Sequence, residues 1–454
     1  MKVCKFGGSS LADAAQINKV IDIVLADPSR RIVVVSAPGK RNGSDTKVTD
    51  LLIALAKAAL SGANVDREYG AVVERYASIA QDLRLGDQIT REIEDDLKGR
   101  IADKSKLTED EFMDLMKAAG EDNNAKLIAA AFTARGRKAR YASPRDTGMV
   151  LMGEHGDAQL DPESYKTLTR AFSNFEGIVI YPGFFGYTKE GKVATFPRGG
   201  SDITGSILAA AVCADVYENF TDVDSVYPAD PRLVPEVKDG EGIKTMTYRE
   251  MRELAYAGFG VFNDDAVIPA VKARIPINIR NTNHPSAPGT MIQQTRRSVP
   301  GTIVGVASES GFVNIIIDKY LMNREIGFGR KVLTILEEEG IGYEHMPTGI
   351  DSLCVMVKDK FMPTEVEKRV VNRIKKELKP DSVSVVHDLD VLMMVGEGTR
   401  YAVGMLAKVS KALADAGVSV MMFSQGASEV SSMAAVRTQD REKAVRAIYH
   451  AFFE

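Results

Sequence analysis

Residues 1–10 read MKVCKFGGSS, a short apolar run followed by two glycines and two serines. The next residues, 14–25, are amphipathic and predict a helix. A strand, a glycine turn and a helix start in this order direct backbone N–H groups at one place, which suits a phosphate group. Lys5 adds a positive charge there. The spacing is neither that of the P-loop nor that of the dinucleotide fingerprint, so an ordinary strand-to-helix turn remains the alternative.

The composition is ordinary for a globular protein, since 44% of the 454 residues are hydrophobic and 26% are charged. The length suggests about three domains. A net charge of −4 argues against a nucleic acid or an anionic membrane as the main partner. No apolar run approaches the roughly 20 residues of a membrane span, and the N-terminus lacks a signal-peptide pattern. We therefore expect a cytoplasmic protein.

Three cysteines, Cys4, Cys213 and Cys354, lie far apart in apolar stretches. This separation predicts buried, reduced thiols, not a disulfide framework or a zinc site. We expect no protein-held metal site.

Up to about residue 283, β-branched runs alternate with helical stretches, which predicts a mostly parallel sheet covered by helices on both faces. The predicted strands are residues 3–6, 31–36, 139–142, 177–182, 216–220 and 276–280; the predicted helices include 48–60, 123–135 and 201–214. Residues 62–119 are charged and helix-forming, so we expect a helical excursion from the sheet. A segment rich in proline, 283–300, predicts the linker that ends a domain at about residue 290.

Beyond the linker, the pattern is β-α-β-β-α-β over residues 312–388, a ferredoxin-like unit that then starts again at 389. The second unit reaches Glu454 without its sixth strand, which would leave an open sheet edge. We expect residues 301–308 to supply that strand, so that the second domain comprises 301–308 and 389–454. Separate strands are predicted at 382–387 and 391–396.

A second glycine-rich helix start lies at residues 198–202, which read RGGSD. Two such starts in one α/β domain can hold a polyphosphate between them. Asp202 beside a phosphate would be repulsive unless it orients a lysine or holds a metal. The alternative is that Asp202 only caps its helix.

A third motif follows the strand at 216–220, where polar residues Thr221 and Asp222 stand at a strand's carboxyl end. Open α/β sheets bind ligands at such ends. Tyr227 and Arg232 follow closely and would suit a nucleotide-binding wall. A turn with solvated carboxylates is the alternative.

Taken together, KFGGSS, RGGSD, TDVD and DPR resemble the aspartate kinases of the amino-acid kinase superfamily, and the C-terminal pair of units resembles their tandem ACT domains. The resemblance covers essentially the whole chain. It implies an α/β amino-acid kinase fold followed by two ferredoxin-like ACT domains. It also implies transfer of the ATP γ-phosphoryl group, with Mg²⁺, to the side chain of L-aspartate, the first step of lysine, threonine and methionine biosynthesis.

The resemblance assigns roles to matching positions. Lys5 and Asp202 are the catalytic candidates. The aspartate-binding candidates are Ser36, Thr49, Glu121, Arg198 and Ser201. The nucleotide-binding candidates are Gly7, Gly8, Ser9, Thr221, Asp222, Tyr227 and Arg232. Family members often carry a lysine for the nucleotide phosphates where this chain has Gly260, and Asn263 also departs from the pattern. Either Lys40, Arg41 or Arg232 compensates for the missing lysine, or the affinity for the nucleotide is weaker.

The resemblance further implies regulation by an amino acid bound at the ACT domains, with L-lysine expected because no dehydrogenase domain follows. The regulatory candidates are Met322, Gly327, Phe328, Glu344, Thr348 and Asp351. A homodimer through the ACT domains is expected, and tetramers stay open. Another amino-acid kinase with a different carboxylate acceptor, or a non-catalytic amino-acid sensor, are the alternatives.

Overall fold

The computed structural model describes residues 1–238, 240–258, 265–400, 402–425 and 430–454. The chain forms two compact units, which are described separately. Unit 1 comprises Met1–Val226, Gly242–Tyr248 and Val261–Arg296; unit 2 comprises Tyr227–Glu241, Arg249–Gly260 and Arg297–Glu454. Among the described residues, no helix is both long enough and apolar enough to cross a membrane.

The strands are β1 (Lys2–Phe6), β2 (Arg30–Val35), β3 (Ala139–Tyr141), β4 (Leu151–Met152), β5 (Gln159–Leu160), β6 (Ile178–Pro182), β7 (Phe185–Tyr187), β8 (Val193–Thr195), β9 (Val216–Thr221), β10 (Thr245–Thr247), β11 (Ile277–Asn281), β12 (Thr290–Gln293), β13 (Gly305–Asp318), β14 (Tyr343–His345), β15 (Ser352–Lys358), β16 (Ser382–Val395), β17 (Met422–Gln425) and β18 (Ser431–Arg437).

The α-helices are α1 (Ala14–Leu25), α2 (Val48–Ser61), α3 (Asp66–Asp82), α4 (Asp87–Ala102), α5 (Glu109–Ala134), α6 (Pro144–Thr147), α7 (Ser164–Phe172), α8 (Gly200–Ala211), α9 (Tyr248–Tyr256), α10 (Ile268–Lys272), α11 (Phe328–Glu338), α12 (Thr364–Leu378), α13 (Met405–Asp415) and α14 (Arg441–Phe453).

Unit 1 is built on an eight-stranded sheet with the order β10-β12-β11-β9-β1-β2-β6-β3. Neighbouring strands are parallel except β11 and β12. One face of β1 carries Cys4 and Phe6, which pack in an apolar core with residues of α1, α2 and α5. The other face of the central strands lies against α8, where Gly205 approaches Tyr217 closely. The predicted helix-covered, mostly parallel sheet is confirmed.

Helix α5 is longer than the sequence predicted, because it begins at Glu109 and not near Asn123. A capping box between Thr108 and Glu111 starts it. Gly120 therefore lies inside the helix, where a Cβ atom would come within 2.8 Å of the Ala37 Cβ atom. The glycine permits close approach of a loop and does not end the helix. Residues 62–119 thus contain α3, α4 and the first part of α5.

Unit 2 contains a six-stranded antiparallel sheet with the order β14-β15-β13-β16-β18-β17. Two long strands, β13 and β16, run through both βαββαβ patterns and pair from Gly305↔Val395 to Asp318↔Ser382. The expectation of separate strands at 382–387 and 391–396 is wrong. The pairing is irregular in its middle, between Ser310 and Asn314, where Gly311 (φ 87°) and Asp388 (φ 57°) have positive φ values, and it continues on both sides of this point. Within this pairing, Gly305–Ser310 lies beside Asp390–Val395.

The cysteines differ from the expected burial at two positions. Cys4 is buried and Cys354 is half-buried, but Cys213 is exposed. Helix α8 ends at Ala211, so Cys213 falls in the following turn with a positive φ of 49°. Its apolar neighbours in sequence suggested burial, but the turn directs this residue to the surface.

Candidate active site

The candidate site lies at the carboxyl ends of β9, β1, β2 and β6, which are consecutive in the sheet. Backbone hydrogen bonds join the loops that leave these strands. Gly7 N donates to Phe220 O at 3.3 Å, Ser36 N to Phe6 O at 3.2 Å, and Gly183 N to Val35 O at 3.0 Å. Parallel strands end at a common edge, so four loops start around one cleft.

Lys5 and Asp202 meet in this cleft. Lys5 is the second-last residue of β1. Its Nζ lies 2.6 Å from Oδ1 of Asp202, which is in the first turn of α8. Asn219 of β9 donates from Nδ2 to the same carboxylate oxygen at 2.7 Å. The Lys5 residue is only 8% exposed, so its charge acts in a partly desolvated setting where electrostatic interactions are strong. The structure thus brings the two catalytic candidates together.

The glycine turn after β1 is pressed against the loop after β2. Gly39 N donates to Gly8 O at 2.8 Å, and a Cβ atom on Gly39 would lie 2.5 Å from the Gly8 carbonyl carbon. Gly7 lies beside the ammonium group of Lys5: a Cβ atom added to Gly7 would be 3.6 Å from Lys5 Nζ. Ser9 is exposed in the short 3₁₀ helix Gly8–Leu11. The turn therefore brings the backbone of Gly7 close to the charged end of Lys5.

Glu121 is the most unusual titratable group of the cleft. It projects from α5, is 6% exposed, and accepts a hydrogen bond from Ala37 N to Oε1 at 3.1 Å. Its Oε2 is buried with no hydrogen-bond partner among the described residues. Burial raises the pKa of Glu121 to about 8, against a smaller lowering by the Ala37 N–H. A buried oxygen without a donor indicates a place for a ligand that supplies one.

The other aspartate-binding candidates surround the same loop. Asn124, one turn after Glu121, donates from Nδ2 to Ser36 O at 2.6 Å. Val48 N donates to Pro38 O at 3.1 Å, which fixes the start of α2, where Thr49 is half-buried. Ser36 and Thr49 therefore stand at the two ends of a loop that α5 supports through Glu121 and Asn124.

Helix α8 begins at the edge of the cleft. Gly199 precedes it with a φ of 87°, a conformation that favours glycine, and Arg198 is exposed on this turn. Ser201 is 8% exposed and lies so close to Gly183 that a Cβ there would come within 2.6 Å of Ser201 Oγ. The loop after β6 thus packs against the N-terminus of α8, and a helix N-terminus attracts anions.

The nucleotide-binding candidates are divided between the two units. Gly7, Gly8 and Thr221–Asp222 belong to unit 1, where Thr221 Oγ1 donates to Asp222 Oδ1 at 3.1 Å. Tyr227 and Arg232 belong to unit 2, where Arg232 pairs with Asp230 at 2.7 Å. Their joint role with the unit 1 residues stays a prediction. Gly260 and Asn263 lie outside the described residues.

The regulatory candidates of unit 2 are largely engaged within the chain. Met322 and Phe328 are each 4% exposed and belong to an apolar core. Gly327, with a φ of 78°, precedes α11. Glu344 accepts a hydrogen bond from Tyr256 of α9, and Asp351 Oδ1 accepts from Leu321 N at 2.8 Å. Thr348 is exposed and donates to Met346 O at 3.3 Å. An effector would have to bind beside these contacts or replace them.

Sequence reasoning missed three residues of the cleft: Asn219, Asn124 and Arg75. Asn219 and Asn124 carry a signal in retrospect, because each is a polar residue inside an otherwise buried strand or helix. Arg75 carries no such signal, because it is one of many charged residues in α3. Only the structure shows that Arg75 is buried, with 4% of its surface exposed.

Across the described residues, no three His, Cys, Asp or Glu side chains are grouped as a metal site. A magnesium ion that arrives with a nucleotide needs only one or two carboxylates besides the phosphates. The carboxylates Asp202 and Asp222, which follow the two strand-to-helix and strand-end motifs and are not part of a cluster of three such ligands among the described residues, fit that mode.

Two family models match the chain. Residues 1–281 match the amino acid kinase family, and residues 392–452 match an ACT domain. The first match spans more than half of the chain, which therefore belongs to the amino acid kinase family.

The relatives narrow the class further. Aspartokinase 3 of Bacillus subtilis is 52% identical over 453 residues, covering 100% of this chain and 99% of the relative. The crystal structure of Clostridium acetobutylicum aspartate kinase superposes with a TM-score of 0.88 at 36% identity, over 100% of both chains. E. coli aspartokinase III in complex with lysine and aspartate gives a TM-score of 0.77 at 25% identity, also over 100% of both chains. Within its family, the chain falls among the aspartokinases.

Proposed function

We propose that this chain transfers the γ-phosphoryl group of ATP to the side-chain carboxylate of L-aspartate and forms 4-phospho-L-aspartate, the first step of lysine, threonine and methionine biosynthesis. The observation that carries the proposal is the Lys5–Asp202 pair, 2.6 Å apart, at the edge where the loops after β1, β2 and β6 converge. The likeness to aspartokinases over the full chain gives the acceptor.

The reaction needs alignment and neutralisation of charge, not a base. The aspartate carboxylate is already ionised at neutral pH, since its reference pKa is about 3.9. One carboxylate oxygen attacks the γ-phosphorus, the bond from the γ-phosphorus to the β–γ bridging oxygen breaks, and ADP leaves with that oxygen. Lys5 neutralises the charge that spreads over the transferring group. Asp202, fixed by Asn219, holds Lys5 in the line of transfer.

The substrate amino acid is held by complementary charges. Glu121 receives the ammonium group, because its buried Oε2 needs a donor. Arg198 clamps the α-carboxylate, a task suited to the two-pronged guanidinium group. The remaining contacts come from Ser36, Thr49 and Ser201.

The nucleotide would be bound together with Mg²⁺, which Asp202 and Asp222 would hold and which would neutralise charge on the phosphates. Gly7, Gly8 and Ser9 line the γ-phosphate, and the N-terminus of α8 faces the same charge. The other nucleotide contacts are assigned to Thr221, Asp222, Tyr227 and Arg232.

Trapping of the acyl phosphate with hydroxylamine tests this function. The purified chain is incubated with Mg-ATP and L-aspartate, and with glutamate, acetylglutamate and carbamate as competing acceptors. We expect a hydroxylamine adduct to form with aspartate and with none of the other acceptors. Lys5→Ala should lower the rate by roughly 10²–10³-fold, the usual cost of one charge-stabilising contact. Lys2→Ala is the matched control, because Lys2 lies on the same strand but pairs with Asp27 at its opposite end. Near-normal turnover by Lys5→Ala would contradict the assignment.

We infer that the C-terminal third of the chain, divided into ACT domains at 312–388 and at 301–308 plus 389–454, senses L-lysine and forms a homodimer. Support comes from the ACT match and from the E. coli relative crystallised with lysine. An effector inhibits only by binding one of two states more tightly. Initial rates with and without L-lysine or L-threonine test the inference, and no response to either amino acid would remove it. The cytoplasmic location stays a prediction.

A further inference from the structure

Arg75 is a buried cation that contacts both loops of the cleft from a distant helix. It lies on α3 and is 4% exposed. Its Nη2 donates to Gly39 O at 2.6 Å and to Ala12 O at 3.1 Å, and its Nη1 lies 2.6 Å from Asp45 Oδ2. Two loops that are separate in sequence therefore meet at one guanidinium group.

The three contacts belong to the walls of the candidate active site. Ala12 directly follows the 3₁₀ helix Gly8–Leu11, and Gly39 directly contacts Gly8. Asp45 lies further along the loop that joins Ser36 to α2. The loop after β1, which is assigned to the phosphates, and the loop after β2, which is assigned to aspartate, are thus tied to the same side chain.

An arginine can join these two loops, whereas a lysine cannot. Pairing of its donors stabilises a buried guanidinium group; both terminal nitrogens of Arg75 are paired, whereas its Nε has no hydrogen-bond partner among the described residues. The planar group fixes the directions of those donors, whereas a lysine ammonium cannot reach three separated acceptors in the same geometry. Arg41 binds the same carboxylate from its backbone N at 2.8 Å and its Nε at 2.9 Å, and together these contacts hold the pKa of Asp45 well below its usual range. Opening of the loop after β1 would remove the Ala12 contact of Arg75, and opening of the loop after β2 would remove its contacts with Gly39 and Asp45.

We propose that Arg75 is a positioning residue, which sets the separation between the loop after β1 and the loop after β2 and so holds the phosphate and aspartate sites in register. The inference rests on the proposed function, and it gives the helical excursion at 62–119 a role. Helix α3 supports the two loops from their outer side through Arg75, and it contributes no atom to the reacting groups.

Arg30 provides a matched control. It is 7% exposed, bonds a carboxylate (Glu218, 2.6 Å) and donates to a backbone carbonyl (Ile23 O, 2.6 Å), as Arg75 does. Arg30 starts β2, at the end of the strand that points away from the cleft. Arg30→Lys therefore measures the general cost of altering a buried arginine in this sheet domain.

The experiment compares Arg75→Lys, Arg30→Lys and Asp45→Asn in the full chain by two readouts. Hydrogen exchange of the amides of residues 39–47, without substrate, reports loop opening and needs no turnover. We expect exchange to rise at least about tenfold in Arg75→Lys and in Asp45→Asn, and to stay unchanged in Arg30→Lys. We also expect the KM values for ATP and aspartate to rise about tenfold in Arg75→Lys, with a smaller change in kcat.

Unchanged exchange of residues 39–47 in Arg75→Lys would overturn the inference, as would an equal increase in Arg30→Lys. Asp45→Asn keeps the test decisive if Arg75→Lys does not fold, because Asp45 lies on a loop; Arg41→Ala, which removes only the Arg41 side-chain contacts with Asp45, measures the part of the increase that does not belong to Arg75. If the wild-type chain formed no aspartyl hydroxamate, the proposed function would fail, and the exchange readout would still decide the role of Arg75 in holding the loops.

Discussion

Aspartate affinity should depend on the ionisation of Glu121. Burial raises the pKa of this carboxyl group to about 8, so it is largely protonated at neutral pH before substrate binds. The ammonium group of aspartate needs the ionised form, and its charge lowers the pKa of Glu121 in the complex. Each binding event therefore releases a proton, and affinity should fall as the pH decreases below about 8.

The size of the effect follows from the free-protein pKa. The apparent KM for aspartate is multiplied by the ratio of total to ionised Glu121, which is about 2 at pH 8 and about 30 at pH 6.5. We therefore expect a rise of about 15-fold in KM over this interval, equivalent to about 1.6 kcal/mol. At pH 7, about 0.9 proton should leave for each aspartate bound.

Initial rates at saturating Mg-ATP and constant ionic strength, between pH 6.5 and pH 8, measure this dependence. Calorimetric titration with aspartate in buffers of different ionisation enthalpy measures the proton release. Glu121→Gln is the matched variant: it keeps an acceptor for Ala37 N but cannot ionise, so its KM should be higher and nearly independent of pH. A wild-type KM that is flat over this range, or the same slope in Glu121→Gln, would refute the reasoning.

Two further predictions concern Asn219 and Cys213. Asn219→Ala removes a hydrogen bond to the Asp202 carboxylate, a bond worth about 1.5–3 kcal/mol, so kcat should fall roughly 10–100-fold while KM changes little. The control is Asn278→Ala, at a buried asparagine of the neighbouring strand β11, which should not lower kcat in this way. An equal loss of kcat in Asn278→Ala would count against a specific role of Asn219. A thiol reagent added to the native chain should react rapidly with Cys213, which is exposed, and not with Cys4, which is buried and whose pKa burial raises. Cys213→Ser should abolish the rapid phase, and an unchanged rapid phase would show that another thiol reacts.

The strands of unit 1 could be predicted because their signal is local. β-Branched runs such as residues 31–36 and 216–220 gave strands whose observed ends, at β2 and β9, differ by one residue. Helix α5 was harder, since it is buried around most of its circumference and carries polar residues such as Asp114 and Asn123 inside the protein. Without an apolar stripe on one side, Gly120 looked like an interruption.

The strands of unit 2 show a different limit. Gly311 and Asp388 look like boundaries between domains, because each favours a turn in a local reading. In the structure they stand nearly opposite each other in β13 and β16, and the two strands stay paired on both sides of them. The pairing therefore depends on residues that are 77 positions apart in sequence, beyond the reach of any local pattern.

The candidate site follows the same division between local and long-range information. Lys5 and Asp202 each occupy a recognisable motif, but their meeting depends on the register of β1 with β9, in which Lys5 is paired with Asn219. In this register both side chains share the face that α8 covers, while Glu218 and Phe220 take the opposite face with Arg30. A shift of one residue would place Glu218 beside Lys5 and turn Asn219 to the other face. Glu218 would then compete with Asp202 for the ammonium group. The apolar packing of Phe6 on Phe220, whose rings lie 4.6 Å apart, disfavours that shift, so the core side of the sheet fixes which carboxylate the lysine meets.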